Sequence, residues 1–183
     1  MHKSRFSVAC LAVSVFALAV GCSPAPVAPD ASAAAIADLQ KQVAEMRERI
    51  AIENLLEQYI VALDKRDPAE YAATFWEDAT LIGNGQTRVG HDQIKAILDD
   101  IPKPSPGSGP VVLRHFTTND IITINGDKAT HTGYWVTYIN GPGDATGDKP
   151  TLRSIGHYND EIEKRDGVWK FSKRDIAGDV PKR

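Results

Sequence analysis

Beyond position 22 the chain has no cysteine, since Cys10 and Cys22 are the only two. Most of the sequence therefore offers no thiol nucleophile, no disulfide framework and no Cys-ligated metal. A basic surplus is missing too, with 21 Lys plus Arg against 24 Asp plus Glu and a formal charge of -3. Nothing in that balance would neutralise a run of phosphates, so no nucleic acid partner is expected. Long apolar runs are absent: Ser7 to Val20 is short of the roughly 20 residues that a spanning helix needs. His91, His115, His131 and His157 stand at no close metal-ligand spacing, and neither a Gly-rich phosphate loop nor a nucleophile elbow occurs. Chemistry is left to His, carboxylates, Tyr and Asn, and neither metal nor cofactor is expected.

What the chain does have begins with an address. In residues 1–21, His2, Lys3 and Arg5 precede the apolar run, the order of a secretory signal. The run ends in Leu18-Ala19-Val20-Gly21-Cys22, which resembles the bacterial lipobox, where small residues precede a cysteine that receives diacylglycerol. That resemblance implies a lipoprotein signal peptide, lipidation at Cys22 and a membrane anchor. Ser23 beside the cysteine is similar to the outer-membrane sorting signal, so the expected location is the cell envelope, facing the periplasm. A plain secretory protein with a chance cysteine is the alternative. Residues 22–35 follow as a Pro-, Ala- and Ser-rich flexible linker.

From Ile36 the pattern becomes helical. Ile36, Leu39, Val43, Met46 and Ile50 recur at spacings of three and four, giving an amphipathic spacer over 36–50. A second stripe runs through Ile52, Leu55, Leu56, Tyr59 and Leu63. At about 100° per residue, the step from Ile50 to Ile52 turns the apolar face by about 200°, so one face cannot serve both stripes. The second belongs to the core of a domain spanning 51–183. The first needs another partner, either the body of the domain, a second copy in a homodimer or another protein, or else it is a frayed spacer.

Downstream, Asp67-Pro68 is an N-cap followed by proline at the first helical position, predicting a short helix through Phe75 and Trp76. Ala79 to Ile82 reads as a strand, and His91 or Asp92 to Ile101 as a third helix. Pro102 to Pro110 is a loop. The period then becomes two, predicting strands over Val111–Ile124, Asp127–Asn140, Thr151–Lys164 and Val168–Ile176, the first two joined at Asn125-Gly126. Helices followed by a long meander predict an α+β domain with a curved antiparallel sheet wrapped on N-terminal helices.

The segments AIENLLEQYIVALDKRDPAEYAATFWEDATL, VGHDQIKAIL, RHFTTNDIITINGDKAT and GHYNDEIEKRDGVWKFSKRDI, taken in order, resemble the SnoaL-like family of the nuclear transport factor 2-like superfamily. Scytalone dehydratase, ketosteroid isomerase, limonene epoxide hydrolase and polyketide cyclases are relatives in that superfamily. The resemblance covers about Ile50 to Ile176 and implies a cone-shaped α+β barrel, preceded here by an extra N-terminal helix, around one deep pocket. It leaves the reaction open, because enzymes, binders and interaction domains share this frame.

Alternation places His115 on the face of Val111, Leu113 and Thr117, opposite Arg114. The resemblance to scytalone dehydratase implies that His115 is a general base and that Asp64 orients it. A structural His tying strand to helix, with Asp64 as a surface carboxylate, is the alternative. Tyr59 and Tyr158 point into the same interior, where phenols either polarise a substrate oxygen or simply pack. Asn119 either lines the mouth or forms a bulge, and Trp76, Trp135 and Phe171 are core or pocket wall. The second histidine of scytalone dehydratase has no match, since Gly133 stands near that position and the facing of His131 is open. Asp160 and Asp175 are possible second acids.

Two functions follow. One is a cofactor-independent lyase or isomerase acting on a small, mostly apolar carbonyl or hydroxy compound by His general-base chemistry. The other is a non-catalytic periplasmic binding or assembly module, acting through dimerisation and its N-terminal helix.

Overall fold

The computed structural model describes residues 29–101, 111–140 and 149–179. The signal peptide, Cys22, the start of the linker and the loop from Pro102 to Pro110 lie outside the described residues. Two compact units divide at Leu39/Gln40, and the unit from Gln40 carries the whole sheet and the helices from Pro68 onward. Helix α1 spans Pro29–Lys65, so helix replaces linker well before Ile36. The Ala-rich sequence there has high helix propensity, and proline is tolerated at a first helical position.

The stripe at Ile52, Leu55, Leu56, Tyr59 and Leu63 is buried, whereas Ile36, Leu39, Val43, Met46 and Ile50 are all exposed. Each large apolar side chain so buried contributes about 1.5–3 kcal/mol relative to leaving it in water. α1 ends where Arg66 adopts a left-handed φ of 58°. The Asp67 carboxylate then accepts from the N–H groups of Ala69 and Glu70, both at 2.9 Å, and starts helix α2 at Pro68–Ala73. Thr74 closes α2 by donating its hydroxyl to the Tyr71 carbonyl at 2.7 Å. Phe75 and Trp76 consequently open strand β1 (Phe75–Gly83) rather than extend the helix as predicted.

Strand β2 (Gln86–Val89) turns back on β1, and helix α3 (Gly90–Lys95) continues as a 3-10 turn over Ala96–Asp100, where one longer helix is expected from the sequence. Strands β3 (Val112–Asn125), β4 (Lys128–Asn140), β5 (Thr151–Arg165) and β6 (Val168–Gly178) form the meander. The sheet order is β2-β1-β6-β5-β4-β3. All neighbours are antiparallel except β1 and β6, which run parallel with Phe75 opposite Phe171. The expected α+β fold with a curved sheet is present, and the parallel pairing of β1 with β6 makes that sheet mixed rather than antiparallel throughout. Residue alternation is the same in either direction, and only the chain path between two strands decides it.

Two irregularities set which side chains face inward. In β3 the register slips between Thr118 and Ile121, where Asn119 has a φ of 59°. Leu113, His115 and Thr117 share the inner face before the slip, and Asp120 and Ile122 share it after. A second slip, opposite Glu161/Ile162, separates Phe171 from Arg174 on β6, so that both are buried.

Candidate active site

The inner face of the sheet and the C-terminal half of α1 line a cavity of about 950 Å³ that opens to solvent. That is the size of a small-molecule pocket, for which roughly 300–1,000 Å³ is typical. Its wall mixes apolar side chains, Leu63, Leu113, Trp135 and Ile176 among them, with polar ones that include His115, Tyr59, Tyr158, Thr137 and Arg153. Trp135 lies over Gly156, where any Cβ would collide with its ring.

Asp64 stands in the last turn of α1, one helical turn beyond Ile60, and reaches His115 on β3. Its Oδ1 accepts from the ring Nδ1 at 2.7 Å and from the His115 backbone N–H at 3.3 Å. Both side chains are mostly buried, 13% and 15% exposed. A carboxylate at Nδ1 requires a proton there, so in the neutral ring it is Nε2 that carries the lone pair. Arg114 approaches the other oxygen of Asp64 at 3.9 Å from the solvent side.

The floor is built from phenols. The hydroxyls of Tyr59 and Tyr71 lie 3.0 Å apart and share one hydrogen bond, which leaves one of their two protons for another acceptor. Burial holds Tyr59, Tyr71 and Tyr158 above the ordinary phenol value, so all three stay protonated donors near neutrality. Behind them the Arg174 guanidinium is stacked 3.9 Å from the Tyr59 ring centre and 3.7 Å from that of Tyr158. A cation held against two aromatic faces makes each phenol a better donor. Arg174 is 1% exposed, and its Nε and Nη1 have no hydrogen-bond partner.

Of the residues assigned to the site from sequence, His115, Asp64, Tyr59, Tyr158 and Trp135 come together. Three do not. Trp76 points away from the cavity, donating its indole N–H to the Glu163 carbonyl at 3.0 Å beneath Arg165 and Lys170. Phe171 is sealed in the core against Phe75, their ring centres 5.2 Å apart. Asn119 forms the bulge and borders a separate hollow of about 450 Å³ with Tyr134 and Asn159. Period-two reasoning also missed Arg174, because the slip on β6 reverses its facing; Asp160 is buried beside it, 3.5 Å from Nη1. Tyr71 and Thr137 escaped notice as well, and for Thr137 a strict alternation from His131 would have found it.

The SnoaL-like domain family matches residues 44–175. The gamma-hexachlorocyclohexane dehydrochlorinase of Sphingobium indicum is 29% identical over 138 residues, covering 70% of this chain and 79% of that protein. Among solved structures, LinA superposes with a TM-score of 0.61 at 27% identity, over 76% of this chain and 90% of that one. The hexachlorocyclohexane dehydrochlorinase LinA-type3 of Novosphingobium barchaimii superposes with a TM-score of 0.59 at 25% identity, over 76% and 91%.

Proposed function

Because this chain belongs to the SnoaL-like domain family and is similar to a dehydrochlorinase, we propose that it is a cofactor-independent lyase or isomerase acting on a small, mostly apolar carbonyl or hydroxy compound. The observation that carries this reading is the 2.7 Å contact of Asp64 with His115 Nδ1 at the wall of the cavity. His115 Nε2 takes a proton from substrate carbon. The electron pair of that C–H bond becomes a C=C bond as the leaving group departs, or moves onto a carbonyl oxygen in isomerisation or cyclisation. Asp64 stabilises the imidazolium that forms, and Tyr59 and Tyr158 donate to the oxygen on which charge gathers.

Turnover of a panel of apolar hydroxy ketones, with gamma-hexachlorocyclohexane as a halide-leaving probe, tests this. His115→Ala should lose about 10²–10⁴-fold in kcat on any substrate found. Undiminished turnover in that variant rejects the assignment.

A second reading, a binding or assembly module, is favoured by the exposed apolar side chains Phe116, Tyr134, Tyr138 and Leu152 on one outer patch of β3, β4 and β5. Its occupant is a second copy of this chain, since such a patch on a two-fold axis covers itself. Sedimentation of the Phe116→Glu variant beside the wild type checks it: equal monomeric masses dismiss the dimer.

The residue order from His2 to Cys22 supports lipidation at Cys22 and an envelope location, and the intact mass of the mature protein tests it directly. A mature N-terminus without diacylglycerol would remove it. No helix among the described residues is long and apolar enough to cross a membrane.

A further inference from the structure

We propose that His131 is a positioning residue of the cavity floor: clamped as a doubly donating imidazolium between Asp120 and Asp160, it holds Asp160 where that carboxylate seats the Arg174 guanidinium between Tyr59 and Tyr158. His131 Nδ1 lies 2.6 Å from Asp160 Oδ2 and Nε2 lies 2.8 Å from Asp120 Oδ1. A neutral imidazole has one N–H, so between two ionised carboxylates one nitrogen would turn its lone pair on an oxygen. Only the imidazolium donates to both, in short charge-assisted bonds.

The charge count agrees. The groups around the clamp are Asp120 from β3, Asp160 and Tyr158 from β5, Arg174 from β6 and Tyr59 from α1. With the phenols neutral and the ring protonated, two carboxylates meet two cations. Asp160 is fully buried and His131 is 1% exposed, so an unbalanced negative charge there would be costly. Asp120 is 33% exposed and connects the set to solvent.

Three separate features of the chain converge on this clamp. The left-handed Asn119 turns Asp120 to the inner face. Gly133 leaves the room that Asp120 occupies, since a Cβ there would collide with Asp120 Oδ1. The β4–β5 register sets His131 directly opposite Asp160. Asp160 Oδ2 then lies within 3.5 Å of Arg174 Nη1.

The seating of Arg174 is independent of the proposed reaction; only its effect on turnover rests on that reading. Nitrogen-15 NMR of the full chain tests the seating without any substrate. In the wild type at neutral pH both ring nitrogens of His131 should give protonated shifts, and the Arg174 Nε–H resonance should be displaced by the two tyrosine rings. Asp120→Asn should convert the ring to the neutral Nδ1–H form, accepting from the new amide at Nε2, and move the Arg174 resonance. Gly133→Ala, which displaces Asp120 sterically, should do the same. A wild-type ring carrying one proton overturns the proposal. So do variants that fold, change the ring and leave the Arg174 resonance in place. Were a variant to unfold, the wild-type ring shifts alone would still decide the clamp.

Discussion

Asp64 holds His115 by two points at once, the ring Nδ1 at 2.7 Å and the backbone N–H at 3.3 Å, across 51 positions of chain. The second contact fixes the strand to the helix end, and the first then has little freedom in ring angle. Position and tautomer are set by one carboxylate.

Asp64→Asn separates charge from geometry. The amide oxygen can still accept both hydrogen bonds, but it cannot stabilise an imidazolium. On a substrate that the wild type turns over, kcat should fall by about 10²-fold or more with KM little changed. Steady-state kinetics check this, and a KM-only effect would make Asp64 a binding group.

The buried phenols predict an alkaline limit to stability. Burial raises the folded-state values of Tyr59, Tyr71 and Tyr158 above the ordinary 10.0. The folded state therefore binds these protons more tightly than the unfolded chain does. Their contribution is complete below the unfolded value and declines as pH rises above it. Tyrosinate absorbance from these three rings should appear only together with unfolding. Independent titration of all five tyrosines in a folded protein would contradict it.

Glu48 predicts a smaller effect at the acid end. Its carboxylate accepts from the Trp169 indole at 2.6 Å and from Lys164 at 3.1 Å, and these bonds hold it below the ordinary glutamate value. The stabilisation is present above that ordinary value and lost as pH falls through the lowered one. The side chain is 36% exposed, so screening limits the contribution to about 0.2–1 kcal/mol. Urea unfolding of Glu48→Gln at acidic and neutral pH should show a deficit at neutral pH that closes on acidification.

Asn119 tests the bulge. Asn119→Gly should be neutral or slightly stabilising, because glycine accepts a φ of 59° without strain. A β-branched residue resists that conformation, so Asn119→Val should cost about 1–2 kcal/mol in thermal unfolding. Should Val be tolerated as well as Gly, the left-handed turn is not what sets the register of β3.

Much of this arrangement was legible before any coordinates. The Ile52 to Leu63 stripe marks the buried face of α1 through helical spacing alone. Asp67-Pro68 starts α2, and Asn125-Gly126 closes the hairpin of β3 and β4, because these residues impose local backbone geometry. The Asp64–His115 pair was accessible through the family resemblance, and Tyr59 through its place on the stripe. The wall was read less well: Trp76 and Phe171 are as apolar as Trp135, and composition does not say which of three aromatic rings borders a void.

Local chemistry thus determined where elements begin and end and which face of a regular element is apolar. Tertiary structure alone decided the parallel pairing of β1 with β6, the slips that turn Asp120 and Arg174 inward, and the meeting of His131 with two carboxylates. Each depends on partners far along the chain, and a single extra residue in a strand reverses the facing of every side chain after it.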